Sequence, residues 1–122
     1  MFLHESAEMY LETIYLLSEK TGAVRSIDIA EKMGYSKPSV SRAVSLLKKG
    51  GYLTMARDGY LTLTEDGQKT AKKIFERHNV LSQFLETIGV DKETAVKDAC
   101  KIEHVVSDKT IKAIKDFVDE QV

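Results

Sequence analysis

Cysteine, proline and tryptophan are scarce in this sequence, and long apolar runs are absent. The 122 residues include one cysteine (Cys100), one proline (Pro38) and no tryptophan. A single cysteine excludes an internal disulfide, so we expect the chain to work in a reducing compartment. No stretch approaches the roughly 18 apolar residues of a membrane span, and the start MFLHESAEMY lacks the basic and apolar regions of a signal peptide. These absences predict a cytoplasmic protein without a membrane partner.

The composition is that of a folded domain with an uneven charge distribution. Hydrophobic residues make up 43% and charged residues 30% of the chain, which excludes a disordered protein. The formal net charge of −1 conceals a basic block, because residues 22–63 hold seven basic and three acidic residues. Residues 79–122 hold six basic and nine acidic residues. This pattern predicts a local cationic surface in the middle of the chain.

The first half of the sequence predicts three helices and a hairpin. Apolar residues at helical spacing indicate helices over residues 6–20, 26–33 and 36–49, and the pair Asp58-Gly59 within YLTMARDGYLTL is a strong hairpin signal. The apolar faces of the second and third helices are predicted to hold Ile27, Ala30, Met33, Val40, Val44, Leu46 and Leu47. The chain is therefore mainly α, with one small β-hairpin.

The second half of the sequence predicts helices alone. A long helical run extends from residue 64 to residue 88, and its pattern allows a break near His78. Asp91 is placed to cap a fifth helix that continues to about Val105, and Ser107 is placed to cap a sixth.

The order of helix, turn, helix and hairpin predicts a winged helix-turn-helix. Small hydroxyl side chains at the front of the third helix allow close approach to DNA, and its basic side chains reach phosphates or guanine edges. The candidate DNA contacts are Ser36, Lys37, Pro38, Ser39, Ser41 and Arg42, together with Arg57 at the tip of the wing. The alternative is a three-helix packing unit with solvated charges, which leaves the basic block without a reason.

A second set of residues has the chemistry of a transition-metal site. In DACKIEHVVSD, Cys100, Glu103 and His104 stand at i, i+3 and i+4, which predicts one face of the fifth helix. Met9 and Glu12 have i, i+3 spacing on the first helix. The full candidate set is Met9, Glu12, His78, Cys100, Glu103 and His104. Thiolate, thioether, imidazole and carboxylate together favour Fe(II), Co(II), Ni(II) or Zn(II) over Mg(II) or Ca(II). Each residue taken singly also fits a packing or solvated role.

With both sets in view, the sequence resembles the metal-dependent repressors of the diphtheria toxin repressor family. The similarity is carried by AEMYLETIY, SKPSVSRAV, TLTEDGQKTA, FERHNVLSQFL and ACKIEHVVSD. It implies a winged-helix DNA-binding domain over residues 1–72 and a helical metal-binding and dimerisation domain over residues 73–122. It further implies a homodimeric repressor that binds palindromic operators in double-stranded DNA when loaded with Fe(II) or Mn(II) and controls metal homeostasis. The family resemblance predicts neither enzymatic activity nor a small-molecule substrate.

The resemblance also assigns the candidate ligands to two types of site. Met9, Cys100, Glu103 and His104 resemble the primary site of iron-type members. Glu12 and His78 resemble the residues that hold a second metal in manganese-type members. In this respect the sequence is a mixture of the two types.

Two alternatives are left open by the residues themselves. One is a winged-helix regulator that senses oxidants or small molecules through Cys100 without a metal; it predicts DNA binding that responds to peroxide and ignores chelators. The other is a small metalloenzyme with Glu103 as a general base. No nucleophile or substrate-binding loop in the sequence supports the enzyme.

Overall fold

The computed structural model describes the fold of residues 5–121 and the side chains of residues 6–121. In chain order the elements are α1 (Glu5–Thr21), α2 (Ser26–Met33), α3 (Lys37–Lys49), β1 (Leu53–Met55), β2 (Leu61–Leu63), α4 (Glu65–Thr87), α5 (Lys92–Ile102) and α6 (Asp108–Glu120). The chain divides into two compact units, residues 1–72 and 73–122, and the division falls within α4. This mainly helical order with one antiparallel hairpin confirms the predicted fold class. Across residues 5–121, no helix combines the length and the apolar character needed to cross a membrane.

A tight turn joins α2 to α3 in the first unit. Gly34 ends α2 in a left-handed conformation with φ 71 and ψ 25, which glycine adopts without a steric penalty. The Ser36 hydroxyl then caps α3 by accepting a hydrogen bond from the Ser39 N–H at 3.3 Å. Pro38 lies in the first turn of α3, where a missing N–H costs no helical hydrogen bond. These local signals place the start of α3 where the sequence predicts it.

Apolar residues from all three helices form the core of the first unit. The most deeply buried of them are Leu11, Ile14, Ile29, Val40, Val44 and Leu47. Two predictions for this core were wrong, because Ile27 is 46% exposed and Leu46 is 61% exposed. Successive helical residues point about 100° apart, so Leu46 and Leu47 cannot both face the same core. Likewise, Ile29 takes the inward position in α2 and leaves Ile27 outside.

The wing is the antiparallel ribbon of β1 and β2. Its register pairs Leu53 with Leu63, and Asp58-Gly59 lies in the connecting turn as predicted. On the other side of β2, the Leu61 N–H donates to the Val24 carbonyl oxygen at 2.8 Å and forms an isolated antiparallel bridge. The segment before α2 therefore extends the ribbon by one residue.

The second unit consists of helices in the part of it that the structure describes. Asp91 caps α5 by accepting from the Thr94 N–H at 3.0 Å, as its sequence position predicts. Ser107 caps α6 in the same way, accepting from the Thr110 N–H at 3.2 Å. The rings of Phe84 and Phe117 meet edge to face with centroids 5.9 Å apart. The buried apolar residues include Leu81, Ala95, Ala99 and Val118.

The structure corrects two details of the helices in this region. The break that the pattern allows near His78 is absent, because α4 continues from Glu65 to Thr87. The fifth helix ends at Ile102 and does not reach Val105. Val105 is 70% exposed, so no burial of its side chain favours a further helical turn.

Candidate metal centre and nucleic-acid interface

The outward face of α3 carries the candidate DNA contacts. These candidates are Ser36, Lys37, Pro38, Ser39, Ser41 and Arg42. Ser39 is half-buried, and the other five are exposed. The opposite face of α3 buries Val40, Ala43, Val44 and Leu47 in the core. No acidic residue lies in the first turn of α3. The helix therefore presents a polar and basic front, without nearby carboxylates of its own, on a rigid apolar base.

A short hydrogen-bonded series links the front residues of α3. The Ser36 and Ser39 hydroxyl oxygens are 2.9 Å apart, and Arg42 Nη2 lies 3.5 Å from the Ser39 oxygen. The Arg42 guanidinium is exposed, so a phosphate or a guanine edge, the two groups that arginine recognises best in DNA, can reach it from solvent. This arrangement matches a helix that reads a major groove with its N-terminal turns.

Arg57 lies at the exposed tip of the wing. Its neighbours Met55, Ala56 and Asp58 are exposed as well. The tip is shaped by backbone hydrogen bonds, since the Ala56 N–H donates to the Tyr60 carbonyl oxygen at 2.9 Å. The position of Arg57 thus allows a contact with phosphate or with a minor groove.

Four candidate metal ligands meet inside the second unit. His78 comes from α4, Cys100 from α5, and Glu103 and His104 from the turn after α5. Ligand atoms of His78, Cys100 and Glu103 all lie within 4.8 Å of one another. The prediction that Cys100, Glu103 and His104 all project from the fifth helix was wrong, because this helix ends at Ile102. Glu103 retains a helical backbone, with φ −56 and ψ −25, and so stays on the Cys100 face at i+3.

Glu103 is the centre of this cluster. Its side chain is fully buried, and its two carboxylate oxygens face two imidazoles. His78 Nδ1 lies 2.9 Å from Oε2, and His104 Nε2 lies 3.2 Å from Oε1. Burying a carboxylate is costly unless positive charge or hydrogen bonds compensate for the lost water. A buried carboxylate between two imidazoles and beside a thiol is therefore unusual for a packing role and typical of a metal site.

The donor chemistry of this cluster fits a divalent transition metal. Imidazole, thiolate and carboxylate are the ligand types that Fe(II), Co(II), Ni(II) and Zn(II) accept together, whereas Mg(II) and Ca(II) prefer oxygen alone. The residues present in the second unit, His78, Cys100, Glu103 and His104, thus suit the metal that the sequence predicts.

Met9 and Glu12 lie on α1 in the first unit. They are three residues apart and share a face of the helix; Met9 is half-buried and Glu12 is 8% exposed. Their assignment as ligands stays a prediction of the sequence.

Two aromatic contacts near the DNA-binding elements were missed by the sequence analysis. Tyr35, next to the start of α3, packs on Tyr10 of α1 with ring centroids 5.8 Å apart. The Arg25 guanidinium carbon lies 4.4 Å from the centroid of the Tyr60 ring. Partners 25 and 35 residues apart in the chain share no periodic spacing, so no local signal could have identified these pairs.

Two protein-family models together match nearly the whole chain. The sequence model of the iron dependent repressor N-terminal DNA binding domain matches residues 2–67, and that of the iron dependent repressor metal binding and dimerisation domain matches residues 64–121. The chain belongs to the iron dependent repressor family. This membership confirms the resemblance inferred from the sequence motifs.

Individual members of the iron dependent repressor family agree with this placement. The HTH-type transcriptional regulators MntR of Lysinibacillus sphaericus and Bacillus subtilis are each 42% identical over 93% of the chain. The chain covers 81% and 80% of these two relatives, respectively. The solved structure of the manganese regulator SloR has a TM-score of 0.82 at 29% identity over 98% of the chain, and a manganese-dependent transcriptional repressor complex with manganese has 0.85 at 28% over 93%. The chain spans 55% and 52% of those two structures, about half of their length.

The family also decides between the classes of function that the sequence left open. Its members are named as transcriptional regulators, and its two domains are described as DNA binding and as metal binding with dimerisation. The protein is therefore a metal-dependent transcriptional repressor and not an enzyme, as the sequence predicts.

Proposed function

We propose that this repressor binds palindromic operators in double-stranded DNA as a homodimer when it is loaded with Fe(II) or Mn(II), and that it controls metal homeostasis. In this proposal residues 1–72 bind DNA, and residues 73–122 bind metal and dimerise. The observation that carries it is the buried Glu103 carboxylate between His78 and His104, with the Cys100 thiol within reach. The proposed ligands are Met9, Glu12, His78, Cys100, Glu103 and His104. Met9 and Glu12 are proposed from their donor chemistry, their i, i+3 spacing on α1 and the family resemblance.

Two arguments bear on the choice of metal. The names of the MntR relatives and of the SloR structure support manganese. The Cys100 thiol favours Fe(II), because thiolates suit softer metals than the oxygen-preferring Mn(II). Fe(II) and Mn(II) are therefore both retained as candidates, with Fe(II) first.

The residues of the second unit have defined tasks in this proposal. Bound metal supplies positive charge that compensates the buried Glu103 carboxylate. His78, Glu103 and His104 are already held close together by their contacts, so little ordering is needed when they bind. Cys100 must lose its thiol proton to serve as a ligand, which makes metal affinity fall at low pH.

The first unit supplies the contacts with DNA. Arg42, Lys37 and the serines of α3 approach the major groove, and Arg57 approaches the flanking backbone. In a two-fold dimer the two recognition helices must enter grooves one or more helical turns apart, so operator affinity depends strongly on geometry. To switch DNA binding, metal binding needs to favour the DNA-binding geometry of the dimer by only a few kcal/mol, since about 1.4 kcal/mol changes a population tenfold.

The test is a titration of operator DNA at fixed salt with protein that a chelator keeps free of metal. The titration is then repeated with Fe(II) under anaerobic conditions and with Mn(II). Two variants accompany the wild type. Glu103→Gln removes the central carboxylate charge, and Glu93→Gln removes an exposed carboxylate on the neighbouring α5 as a matched control. We expect tight binding only with metal in the wild type and in Glu93→Gln, and weak binding under all conditions in Glu103→Gln.

Equal DNA binding with and without metal would contradict the proposal. If affinity then changed with peroxide and not with chelators, the oxidant-sensing alternative through Cys100 would replace it. The same titration also ranks Fe(II) and Mn(II) by the operator affinity that each metal produces. This ranking shows whether the iron-type or the manganese-type ligands dominate.

A further inference from the structure

The tip of the wing extends beyond the apolar core of the first unit. Leu53, Leu61 and Leu63 are buried at the base of the ribbon. From Thr54 to Tyr60, every residue except the half-buried Gly59 is exposed. A two-stranded ribbon with three-residue strands has little stability of its own. The position of the tip therefore depends on the few contacts that tie it to the helices.

Two contacts join the β2 edge of the ribbon to the residues just before α2. The first is the backbone bridge in which the Leu61 N–H donates to the Val24 carbonyl oxygen at 2.8 Å. The second lies one residue nearer the tip, where the Arg25 guanidinium stacks over the Tyr60 ring at 4.4 Å. A guanidinium at this distance from an aromatic ring is attracted by the negative face of the ring.

Arg25 is itself anchored to α2 through its backbone. It is the N-cap residue of that helix, and its N–H donates to the Asp28 carboxylate at 2.8 Å. Its carbonyl oxygen accepts from the Asp28 N–H at 3.0 Å. The guanidinium thus extends from a fixed backbone, and Tyr60 is joined to the tip because its carbonyl oxygen accepts from the Ala56 N–H at 2.9 Å.

We propose that the stacked pair of Arg25 and Tyr60 is a clamp that positions the wing for DNA. Arg25 is a positioning residue in this account: it acts through the wing and the Arg57 contact. The proposal rests on the proposed DNA-binding function, but the order of the wing can be measured without DNA.

The test compares five variants with the wild type. Arg25→Gln removes the cation, Tyr60→Leu removes the ring, and Tyr60→Phe keeps the ring while removing the hydroxyl. Lys32→Gln removes an exposed cation from the other end of α2 and controls for net charge. Arg57→Gln removes the charge at the tip of the wing.

Hydrogen exchange of the amides of Ala56 and Gly59 in the DNA-free protein is the first measurement. We expect Arg25→Gln and Tyr60→Leu to accelerate this exchange about threefold or more, the scale of an exposed cation–π contact. Tyr60→Phe and Lys32→Gln are expected to leave it unchanged. Equal exchange in all variants would overturn the clamp, whether or not the protein binds DNA.

Operator affinity in a double-mutant cycle is the second measurement. If Arg25 acts through the wing, Arg57→Gln weakens binding less in the Arg25→Gln background than in the wild type. Additive losses together with unchanged wing exchange would mean that Arg25 contacts DNA directly, which contradicts the clamp. Absence of any metal-dependent operator binding by the wild type would reject the proposed function, and the exchange measurement would still test the clamp.

Discussion

The two units place their chemically important side chains in opposite environments. In the first unit, the candidate DNA contacts from Ser36 to Arg42 lie on the surface of α3, and an apolar core fixes the helix from behind. In the second unit, His78, Cys100, Glu103 and His104 converge, and the Glu103 carboxylate is fully buried.

The difference follows from the two kinds of ligand. DNA phosphates approach from solvent, so the basic side chains that bind them can stay on the surface and remain hydrated in the free protein. A metal ion is held by several groups at once, so these groups must converge on one point and be shielded from competing water. Substitutions of the candidate DNA contacts on α3 should therefore change DNA binding and leave the free energy of unfolding unchanged, whereas substitutions in either interior should change stability or metal affinity.

The largest effect is expected in the core of α3. Leu47→Ala removes a fully buried side chain and should lower the free energy of unfolding by about 2–5 kcal/mol. Leu46→Ala, one position away and 61% exposed, should change it by about 0.5 kcal/mol or less. Urea unfolding followed by circular dichroism measures both. Similar losses in the two variants would contradict the assignment of the buried face.

A smaller effect, confined to binding, is expected at the front of the same helix. Arg42→Ala should weaken operator binding by about 1–3 kcal/mol, the range of an arginine that reads a base edge. The free energy of unfolding should stay unchanged because Arg42 is exposed. Lys49→Ala, at the other end of α3, serves as the control for charge. Equal losses of affinity in the two variants, measured by fluorescence anisotropy, would indicate a nonspecific electrostatic role for Arg42.

The smallest effect concerns the charges at the start of α6. The hydrogen bond and charge of Lys73, 2.9 Å from Asp108, lower the pKa of the Asp108 carboxyl. A lowered pKa contributes stability above the ordinary carboxyl pKa, and this contribution is lost as the pH falls through the lowered value. Because both side chains are more than half exposed, the contribution is about 0.5 kcal/mol or less.

The matched variants for this pair are Lys73→Gln and Lys69→Gln. Lys73→Gln should reduce stability slightly at neutral pH and have no effect once Asp108 is protonated. Lys69 pairs with Glu65 at 3.2 Å, also exposed, and reports the effect of losing an ordinary surface pair. A Lys73→Gln effect that persisted unchanged in acid would exclude the charge of Asp108 as its cause.

Local signals in the sequence predict much of this structure. Gly34, Ser36, Pro38, Asp91 and Ser107 begin or end helices where their chemistry requires it. These residues act within one helical turn, so their effects can be read without knowing the rest of the fold.

The sequence predicts less well what depends on distant partners. In a helix of eight residues such as α2, apolar spacing does not determine which residues face the core. The sequence therefore predicts a buried Ile27, whereas Ile29 is the buried residue in the structure. The end of α5 at Ile102 and the contact between His78 and Glu103 depend on packing between helices. Spacing alone brings Cys100 and Glu103 together. The sequence names His78 as a candidate by its residue type and by the family resemblance, and the fold places it 2.9 Å from Glu103.

The central claim is that the cluster around Glu103 binds a transition metal through a thiolate, and a Co(II) titration of the DNA-free protein tests it most directly. Because Cys100 is the only cysteine in the chain, a thiolate-to-metal absorption band can be assigned to it without ambiguity. We predict that the band rises to saturation in the wild type and is absent in Cys100→Ser. Identical spectra for the two proteins would show that the thiol does not bind metal and would contradict the account.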